Sequence, residues 1–160
     1  MTVSVFRINY NKKLGLADLY FGALRYAGRW HTPSPGSRTA IVYAASTRAL
    51  AQLEKRVHAN GVAPVDMAFL RLDLRKGAHL LSAITDLKLR KDWPNDEAYT
   101  QSFGNDWFAR TSSLGLWVPS FVERREMNLL LNPEHPQYAT HVTVVVEEKN
   151  FQFDPRMFDT

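Results

Sequence analysis

Segments with the pattern of β-strands outnumber helical segments along this chain, and the two kinds do not alternate regularly. Period-two alternation or runs of Val, Ile and Leu predict strands at residues 2–9, 39–45, 65–74, 114–119, 127–131 and 141–148, with a last edge strand at 150–155. A doubly wound parallel sheet requires a helix between successive strands, and this order does not supply one. The sequence therefore predicts an α+β fold, in which flanking helices cover a mixed, largely antiparallel sheet.

Helical spacing predicts two main helices. One covers residues 46–58 with Ser46 as its N-cap, and the other covers 97–110, where aromatic residues recur every four positions. Short helical turns are expected at 16–20 and 137–140, whereas residues 80–84 fit either a short strand or a short helix. The prolines and the glycine of residues 31–38 predict a loop. Because no linker or repeat divides the 160 residues, we expect one compact domain over 1–160.

The charge distribution does not indicate a nucleic-acid surface. The formal net charge is +4, but the 20 basic residues are scattered and group only as pairs, such as Lys12-Lys13 and Arg124-Arg125. Nonspecific DNA binding needs several cations that converge on one surface, so we expect no direct nucleic-acid binding. The sequence contains no apolar run of about 18 residues and no signal-peptide pattern. We therefore expect a soluble, cytoplasmic protein that does not enter a membrane.

Several common kinds of site are excluded because their motifs are missing. The glycines never form GxGxxG or GxxxxGK, which removes the Rossmann fingerprint and the P-loop. Neither HExxH nor GxSxG occurs, and a chain without cysteine can form no disulfide and no Cys-based metal site. We expect no bound metal. The candidates that remain are one unusual glutamate, several arginines, a tyrosine and a few hydroxyls.

Glu54 is the unusual glutamate. In the helix predicted at 46–58, Leu50, Leu53 and Val57 mark an inward stripe at helical spacing. With ~100° per residue, Glu54 falls beside Leu50 and Val57 inside the same arc. An unpaired carboxylate in the interior would cost several kcal/mol, so Glu54 needs a cationic or hydrogen-bonding neighbour, or a site to serve. A buried structural Glu–Arg pair and a catalytic carboxylate both remain open.

The remaining residue types are compatible with cleavage of a glycosidic bond. A carboxylate in a partly dry cleft stabilises the oxocarbenium-like transition state of glycosidic bond cleavage. Arginine binds pyrophosphate through a planar fork of donors, and tyrosine offers a flat face to a base. Residue types alone nevertheless favour ordinary structural roles, with Tyr43 a core residue, Arg29 a loop cation and Ser120 a turn hydroxyl.

A set of short motifs, taken in order, resembles the RES-domain proteins. The resemblance extends from Phe6 to Arg156, and the order and spacing of the motifs carry it rather than any single one. The motifs are FRI at Phe6–Ile8, GRW at Gly28–Trp30, VY at Val42–Tyr43, ALAQLE ending at Glu54, VPS at Val118–Ser120 and NLLLNPEHP at Asn128–Pro136.

The resemblance implies a fold similar to that of ADP-ribosyltransferases and a place in a toxin–antitoxin system. Members of this family are toxins of bacterial type II systems, and their partner is a helix-turn-helix antitoxin of the Xre type. A hetero-oligomeric complex with that antitoxin is therefore expected. The family acts on NAD, so NAD would be a consumed substrate and not a cofactor. The implied reaction is cleavage of the nicotinamide–ribose bond, with water or inorganic phosphate as acceptor.

The resemblance also implies roles for individual residues. The family is named after an Arg, a Glu and a Ser, which match Arg29, Glu54 and Ser120. Glu54 would act at the ribose carbon, Arg29 would hold the NAD phosphates and Ser120 would line the same pocket. Tyr43 would pack on the nicotinamide side, and Arg7 on the first strand would be a second phosphate contact.

Two features depart from the family pattern, and two other functions remain open. His31 stands where relatives commonly have Asn after GRW, and the loop at 31–38 is longer than in many members.

With the same fold, the chain could instead be an ADP-ribosyltransferase that modifies a protein. In a different class, it could be a non-enzymatic basic module that binds nucleic acid or a protein.

Overall fold

The computed structural model of the chain describes residues 2–33 and 39–159, so most of the predicted loop at 31–38 lies outside the described residues. A sheet of seven strands forms its centre in the order β4-β5-β6-β2-β1-β3-β7. Every neighbouring pair in this sheet is antiparallel except β4 and β5. The α+β class and the mixed, largely antiparallel sheet are confirmed. The strands are β1 (Val3–Tyr10), β2 (Val42–Ala45), β3 (Met67–Leu74), β4 (Leu80–Ser82), β5 (Gly115–Pro119), β6 (Met127–Leu131) and β7 (Val142–Phe151).

Helices α1 (Arg48–Val57), α2 (Glu97–Arg110) and α3 (Tyr138–His141) accompany the sheet, together with single 3-10 turns at Leu16–Asp18, Trp93–Asn95 and Pro155–Met157. The prediction of Ser46 as N-cap of the first helix is wrong by one residue. Thr47 caps α1 because its side chain accepts a hydrogen bond from the Leu50 backbone N–H. Ser46 is still held in the sheet by a hydrogen bond from its N–H to the Met127 carbonyl.

The sheet divides between β1 and β2. β1 pairs with β3 along its whole length, but it meets β2 at the single registered pair Phe6 and Ala45. β2 in turn pairs along its whole length with β6. The sheet therefore consists of one half built on β7, β3 and β1 and another built on β2, β6, β5 and β4, joined at one point. Beyond that point β1 and β2 have no further registered pair, and the Arg7 side chain donates a hydrogen bond to the Tyr43 carbonyl of β2.

Both faces of the sheet are covered near its middle. On one face, helix α1 packs Leu50 and Ala51 against one half of the sheet, while α2 and the Trp93 turn cover the other half. On the opposite face, Leu19 and Tyr138 pack against the sheet. The expectation of a half-buried strand at 65–74 is wrong for its first part, because Met67, Phe69 and their neighbours are enclosed on both faces. A separate strand at 150–155 is also absent: β7 runs on to Phe151, and Phe153 instead packs edge-on against the Phe151 ring.

The glycine in the interior of α2, Gly104, is required by a close contact with the backbone of Trp30. A Cβ atom at this position would lie 1.7 Å from the Trp30 carbonyl oxygen, so only glycine permits the contact. Two neighbouring side chains of α2 extend the same contact: Thr100 Oγ1 donates to the Arg29 carbonyl at 2.8 Å, and Gln101 Nε2 donates to the Gly28 carbonyl at 3.0 Å. Helix α2 thus holds the backbone of the GRW motif at residues 28–30.

We predict that Gly104→Ala lowers the free energy of unfolding by about 2 kcal/mol or more, because the helical preference for Ala cannot offset a backbone clash. Urea denaturation followed by circular dichroism measures the change. Gly22→Ala is the matched control, since a Cβ there meets no atom within 4 Å. A Gly104→Ala protein as stable as the Gly22→Ala protein would contradict the close contact between α2 and Trp30.

Candidate active site

Helix α1 turns Glu54 toward the protein, as its sequence position predicts. The buried face of α1 runs through Leu50 and Ala51 and takes in the half-buried Glu54. The predicted inward stripe is wrong at two other positions, since Leu53 and Val57 are 40% and 53% exposed. The reason is helical geometry: a face centred between Leu50 and Ala51 includes position 54 at ~100° per residue but leaves position 53 on its flank.

Two neutral donors hold the Glu54 carboxylate. Ser120 Oγ and Asn128 Nδ2 each donate a hydrogen bond to the same oxygen, Oε1, and each distance is 2.7 Å. Within residues 2–33 and 39–159 Glu54 forms no ion pair, so the buried Glu–Arg pair is not the arrangement found. Hydrogen bonds from neutral groups fix the carboxylate without cancelling its negative charge.

The second oxygen of Glu54, Oε2, is left for another partner. No donor of the described residues makes a hydrogen bond to Oε2. Nor is Oε2 sealed inside the protein, because in the described part of the chain the one fully enclosed side-chain polar atom without a partner is Arg29 Nε. Glu54 therefore presents a fixed carboxylate whose second oxygen is bonded to none of the described residues, which suits a group that acts on a substrate.

Ser120 is completely buried and its hydroxyl is fully used. The oxygen accepts hydrogen bonds from the backbone N–H groups of Val122 and Glu123, both at 3.1 Å. Its proton goes to Glu54. Because a hydroxyl has one proton and two lone pairs, this arrangement leaves no lone pair free for nucleophilic attack. In this geometry Ser120 acts by holding Glu54.

Asn128 is a site residue that the sequence reasoning did not single out. It lies on β6 opposite Ala45 and Val118, and only 9% of it is exposed. The signal was present, since an amide is the second residue of the otherwise apolar strand predicted at 127–131 and begins the NLLLNPEHP motif. A buried amide on an apolar strand needs hydrogen-bond partners, and Glu54 is such a partner.

Arg29 is anchored to the Trp93 turn. One terminal nitrogen, Nη2, donates to the Trp93 and Pro94 carbonyls at 2.9 Å each, and the guanidinium lies 4.1 Å from the centre of the Phe121 ring. Nη1 lies 3.9 Å from a carboxylate oxygen of Glu97, which is exposed. Since Phe121 follows Ser120 directly, Arg29 stacks beside the turn that holds Glu54. The Nε atom is enclosed and has no hydrogen-bond partner among the described residues.

Tyr43 ties strand β2 to the GRW motif. Its hydroxyl accepts a hydrogen bond from the Trp30 N–H at 3.3 Å and lies 2.6 Å from His31 Nδ1. The other ring nitrogen of His31, Nε2, lies 3.0 Å from the Ala23 carbonyl, which can only accept. Nε2 therefore carries the proton and Nδ1 accepts the proton of Tyr43. Gly28 makes room for this contact, because a Cβ there would lie 2.6 Å from the Tyr43 hydroxyl.

Burial keeps both members of this pair neutral. It lowers the pKa of His31 and raises the pKa of Tyr43. The residue that departs from the family pattern after GRW is thus a buried structural histidine. The Tyr43 ring is partly buried against the cluster that contains Trp30 and Leu130.

Arg7 lies where β1 and β2 separate. Its Nη1 donates to the Tyr43 carbonyl at 2.7 Å and its Nε donates to Asn9 Oδ1 at 3.3 Å, but no carboxylate of the described residues pairs with it. Burial lowers the pKa of Arg7 to about 10, so it stays cationic at neutral pH. Burial also lowers the pKa of Lys55, and the charge of Arg7 lowers it further. Two cations without carboxylate partners make this region attractive to an anion.

The five residues singled out from the sequence belong to one connected set, although neither Arg29 nor Arg7 touches Glu54. The links are Glu54 to Ser120, Phe121 to Arg29, Trp30 to Tyr43, and Tyr43 to Arg7. Two grooves on the surface have volumes of about 500 and 390 Å³, and none of the five lines them, although Lys55 lines the smaller one. The chemistry of the connected set, and not the size of a cavity, identifies the candidate site.

The described residues contain no group of three or more His, Asp or Glu side chains placed to hold a metal ion. Among the same residues, no helix has the length and apolar character needed to cross a membrane.

Fold and site together define an α+β domain that carries a clamped glutamate beside a divided antiparallel sheet. The RES domain family model matches residues 4–154. The chain belongs to the RES-domain family.

Curated relatives support this assignment over nearly the full length. The "Toxin Res" of Yersinia enterocolitica is 31% identical over 160 residues, covering 96% of this chain and 98% of the relative. The "Toxin Res" of Photorhabdus laumondii is 31% identical over 156 residues, covering 96% of each chain. The "Prs ADP-ribosylating toxin" of a Sphingobium strain is 34% identical over 163 residues, covering 98% of each chain.

We predict that the pH dependence of stability changes in His31→Asn. Because burial lowers the pKa of His31, the unfolded chain takes up this proton at a higher pH than the folded protein does. The contribution of His31 to the free energy of unfolding therefore falls as pH decreases through the ordinary histidine pKa of 6.5. His31→Asn removes that contribution and gives a shallower slope, measured by urea denaturation at several pH values. The exposed His58→Asn serves as control and keeps the wild-type slope. Equal slopes for wild type and His31→Asn would contradict the buried neutral histidine.

Proposed function

We propose that this chain is a toxin that degrades NAD by cleaving the bond between nicotinamide and ribose, with water or inorganic phosphate as acceptor. The observation that carries the proposal is the Glu54 carboxylate, which two neutral donors fix through Oε1 while Oε2 receives no hydrogen bond from the described residues. Relatives that carry the name toxin support the biological role.

The chemistry of the bond matches a fixed carboxylate. When the C1′–N bond breaks, its electron pair leaves with nicotinamide, which departs as a neutral molecule. Positive charge then develops on the ribose carbon and ring oxygen, and a carboxylate beside them stabilises that transition state. The acceptor oxygen forms the new bond to C1′ and releases its proton. Water yields ADP-ribose, and inorganic phosphate yields the ADP-ribosyl phosphate.

The remaining side chains suit the other parts of NAD. Within the described residues Arg7 and Lys55 pair with no carboxylate, so together with Arg29 they are the candidates to bind the pyrophosphate. The Tyr43 ring is the candidate to pack on the nicotinamide side. NAD in this proposal is a substrate that is consumed, in keeping with a sequence that lacks the Rossmann fingerprint.

A second candidate function is favoured by one relative. The Sphingobium relative is named an ADP-ribosylating toxin, which means that ADP-ribose is transferred to an acceptor and not released. The bond that breaks and the role of Glu54 are the same in both reactions. The two candidates differ only in the oxygen, nitrogen or other nucleophile that attacks C1′, which can belong to water, phosphate or a protein side chain.

A toxin that consumes NAD requires restraint in the cell that makes it. We therefore propose a cytoplasmic complex with an antitoxin of the Xre helix-turn-helix type, in which any binding to DNA is supplied by the antitoxin. Co-expression of this chain with the product of an adjacent helix-turn-helix gene, followed by copurification, tests that partner. Failure of the two proteins to copurify would contradict it.

We predict that Glu54→Gln lowers the rate of NAD consumption at least about 100-fold, because the amide has the shape of the carboxylate but lacks its charge. Loss of NAD is followed by chromatography, and circular dichroism verifies the fold. Glu134→Gln changes an exposed carboxylate in the same way and keeps wild-type activity. If wild type and Glu54→Gln consume NAD at the same rate, Glu54 does not have the proposed role.

Analysis of the products separates the two candidate reactions. Purified protein is incubated with NAD in the presence and absence of phosphate, and separately with labelled NAD and a bacterial lysate. Free ADP-ribose or its phosphate identifies water or phosphate as acceptor, whereas label on one protein band identifies ADP-ribosyl transfer. If neither nicotinamide nor any ADP-ribosyl product forms, both candidates are wrong.

A further inference from the structure

Asn128 is the most rigidly placed of the groups around Glu54. β6 pairs with β2 at Ala45 and with β5 at Val118, so hydrogen-bonded strands flank Asn128 on both sides. Its side chain is almost completely buried, and its amide donates to Glu54 Oε1 at 2.7 Å. Ser120, the other donor, lies in the turn after β5. The orientation of the carboxylate is therefore set by the sheet itself through Asn128.

We propose that Asn128 is a positioning residue for NAD cleavage: together with Ser120 it holds Glu54 by Oε1, so that Oε2 alone faces the substrate ribose. This inference rests on the proposed function. Two donors that arrive from different segments at one oxygen prevent the carboxylate from turning about its last bond, since turning would break both hydrogen bonds. A single donor would leave that rotation open.

The Asn128 amide is a neutral donor, and this property matters for the transition state. A lysine or arginine at this position would hold the carboxylate equally well, but its charge would oppose the stabilisation of a cationic transition state. The amide donates a hydrogen bond and leaves the full negative charge on Glu54. Arg29 and Arg7 are kept apart from Glu54 by their own hydrogen bonds to the Trp93, Pro94 and Tyr43 carbonyls.

Asn128→Asp separates a positioning role from a merely structural one. The aspartate has the size of asparagine, but when ionised it faces Oε1 with a second negative charge and no proton to donate. As pH falls, the two adjacent carboxyl groups come to share one proton, which restores both a hydrogen bond to Oε1 and the original net charge of −1. The activity of Asn128→Asp relative to wild type should therefore rise with acidification. Asn128→Ala has no proton to share and cannot recover in this way.

The experiment measures kcat and KM for NAD between pH 5 and pH 8 for wild type, Asn128→Ala, Asn128→Asp and a control. Asn11→Asp is the matched control, because Asn11 Nδ2 also donates to a carboxylate oxygen, Asp66 Oδ1 at 2.9 Å, on the exposed surface. Dividing each rate by the wild-type rate at the same pH cancels the effect of the other charged and ionisable groups near the site, Arg7, Lys55, His31 and Glu126, which all variants share. Circular dichroism and thermal melting verify that each variant is folded.

We expect kcat of Asn128→Ala to fall about 10- to 100-fold with little change in KM, the size expected for loss of a hydrogen bond to a charged group. Asn128→Asp should lose more at pH 8 and recover at least about fivefold by pH 5 relative to wild type, while Asn11→Asp stays at the wild-type rate. Folded Asn128 variants with wild-type kcat, or an Asn128→Asp rate with no recovery in acid, would overturn the positioning role while NAD cleavage stands. A wild-type protein that consumes no NAD would instead overturn the proposed function, and this inference with it.

Discussion

The clamp on the Glu54 carboxylate is the interaction on which the rest of the site depends. Ser120 and Asn128 bring a turn and a central strand to the same oxygen and so connect α1 to β5 and β6 across the face of the sheet. Without these donors a half-buried carboxylate would have to stay solvated or find a cation. With them, Glu54 keeps its charge in a fixed position at low cost.

A second set of contacts fixes the backbone of the GRW motif, which carries Arg29. Helix α2 approaches the GRW motif so closely that only Gly104 fits against the Trp30 carbonyl, and Thr100 adds a hydrogen bond to the Arg29 backbone. Tyr43 and His31 attach the same motif to strand β2 from the other side. Arg29 therefore lies on a backbone fixed from two directions, and its contact with Phe121 relates it to the Glu54 clamp. The divided sheet adds Arg7 at the point where its two halves part.

Periodicity in the sequence was sufficient for the fold class, for most strands and for the inward placement of Glu54, because these depend on local alternation of apolar residues. It failed where a tertiary contact decides the outcome. Leu53 and Val57 are apolar but exposed, since they lie on the flank of the α1 face that Leu50 and Ala51 bury. Ser46 has the chemistry of an N-cap, but the cap is Thr47, because the N–H of Ser46 is bonded to the Met127 carbonyl and so keeps it in the sheet. The pairing of Glu54 with Asn128 joins residues 74 positions apart and has no local signature.

The central claim is that Glu54 bonds to Ser120 and Asn128 through Oε1 and contacts the substrate through Oε2. A crystal structure with an NAD analogue whose nicotinamide–ribose linkage cannot be cleaved tests this claim directly. The account predicts Oε2 within about 2.6–3.2 Å of a ribose hydroxyl, with Oε1 still bonded to Ser120 and Asn128. A ribose bound away from Glu54, or a carboxylate that has released both donors to face the ribose with Oε1, would contradict it.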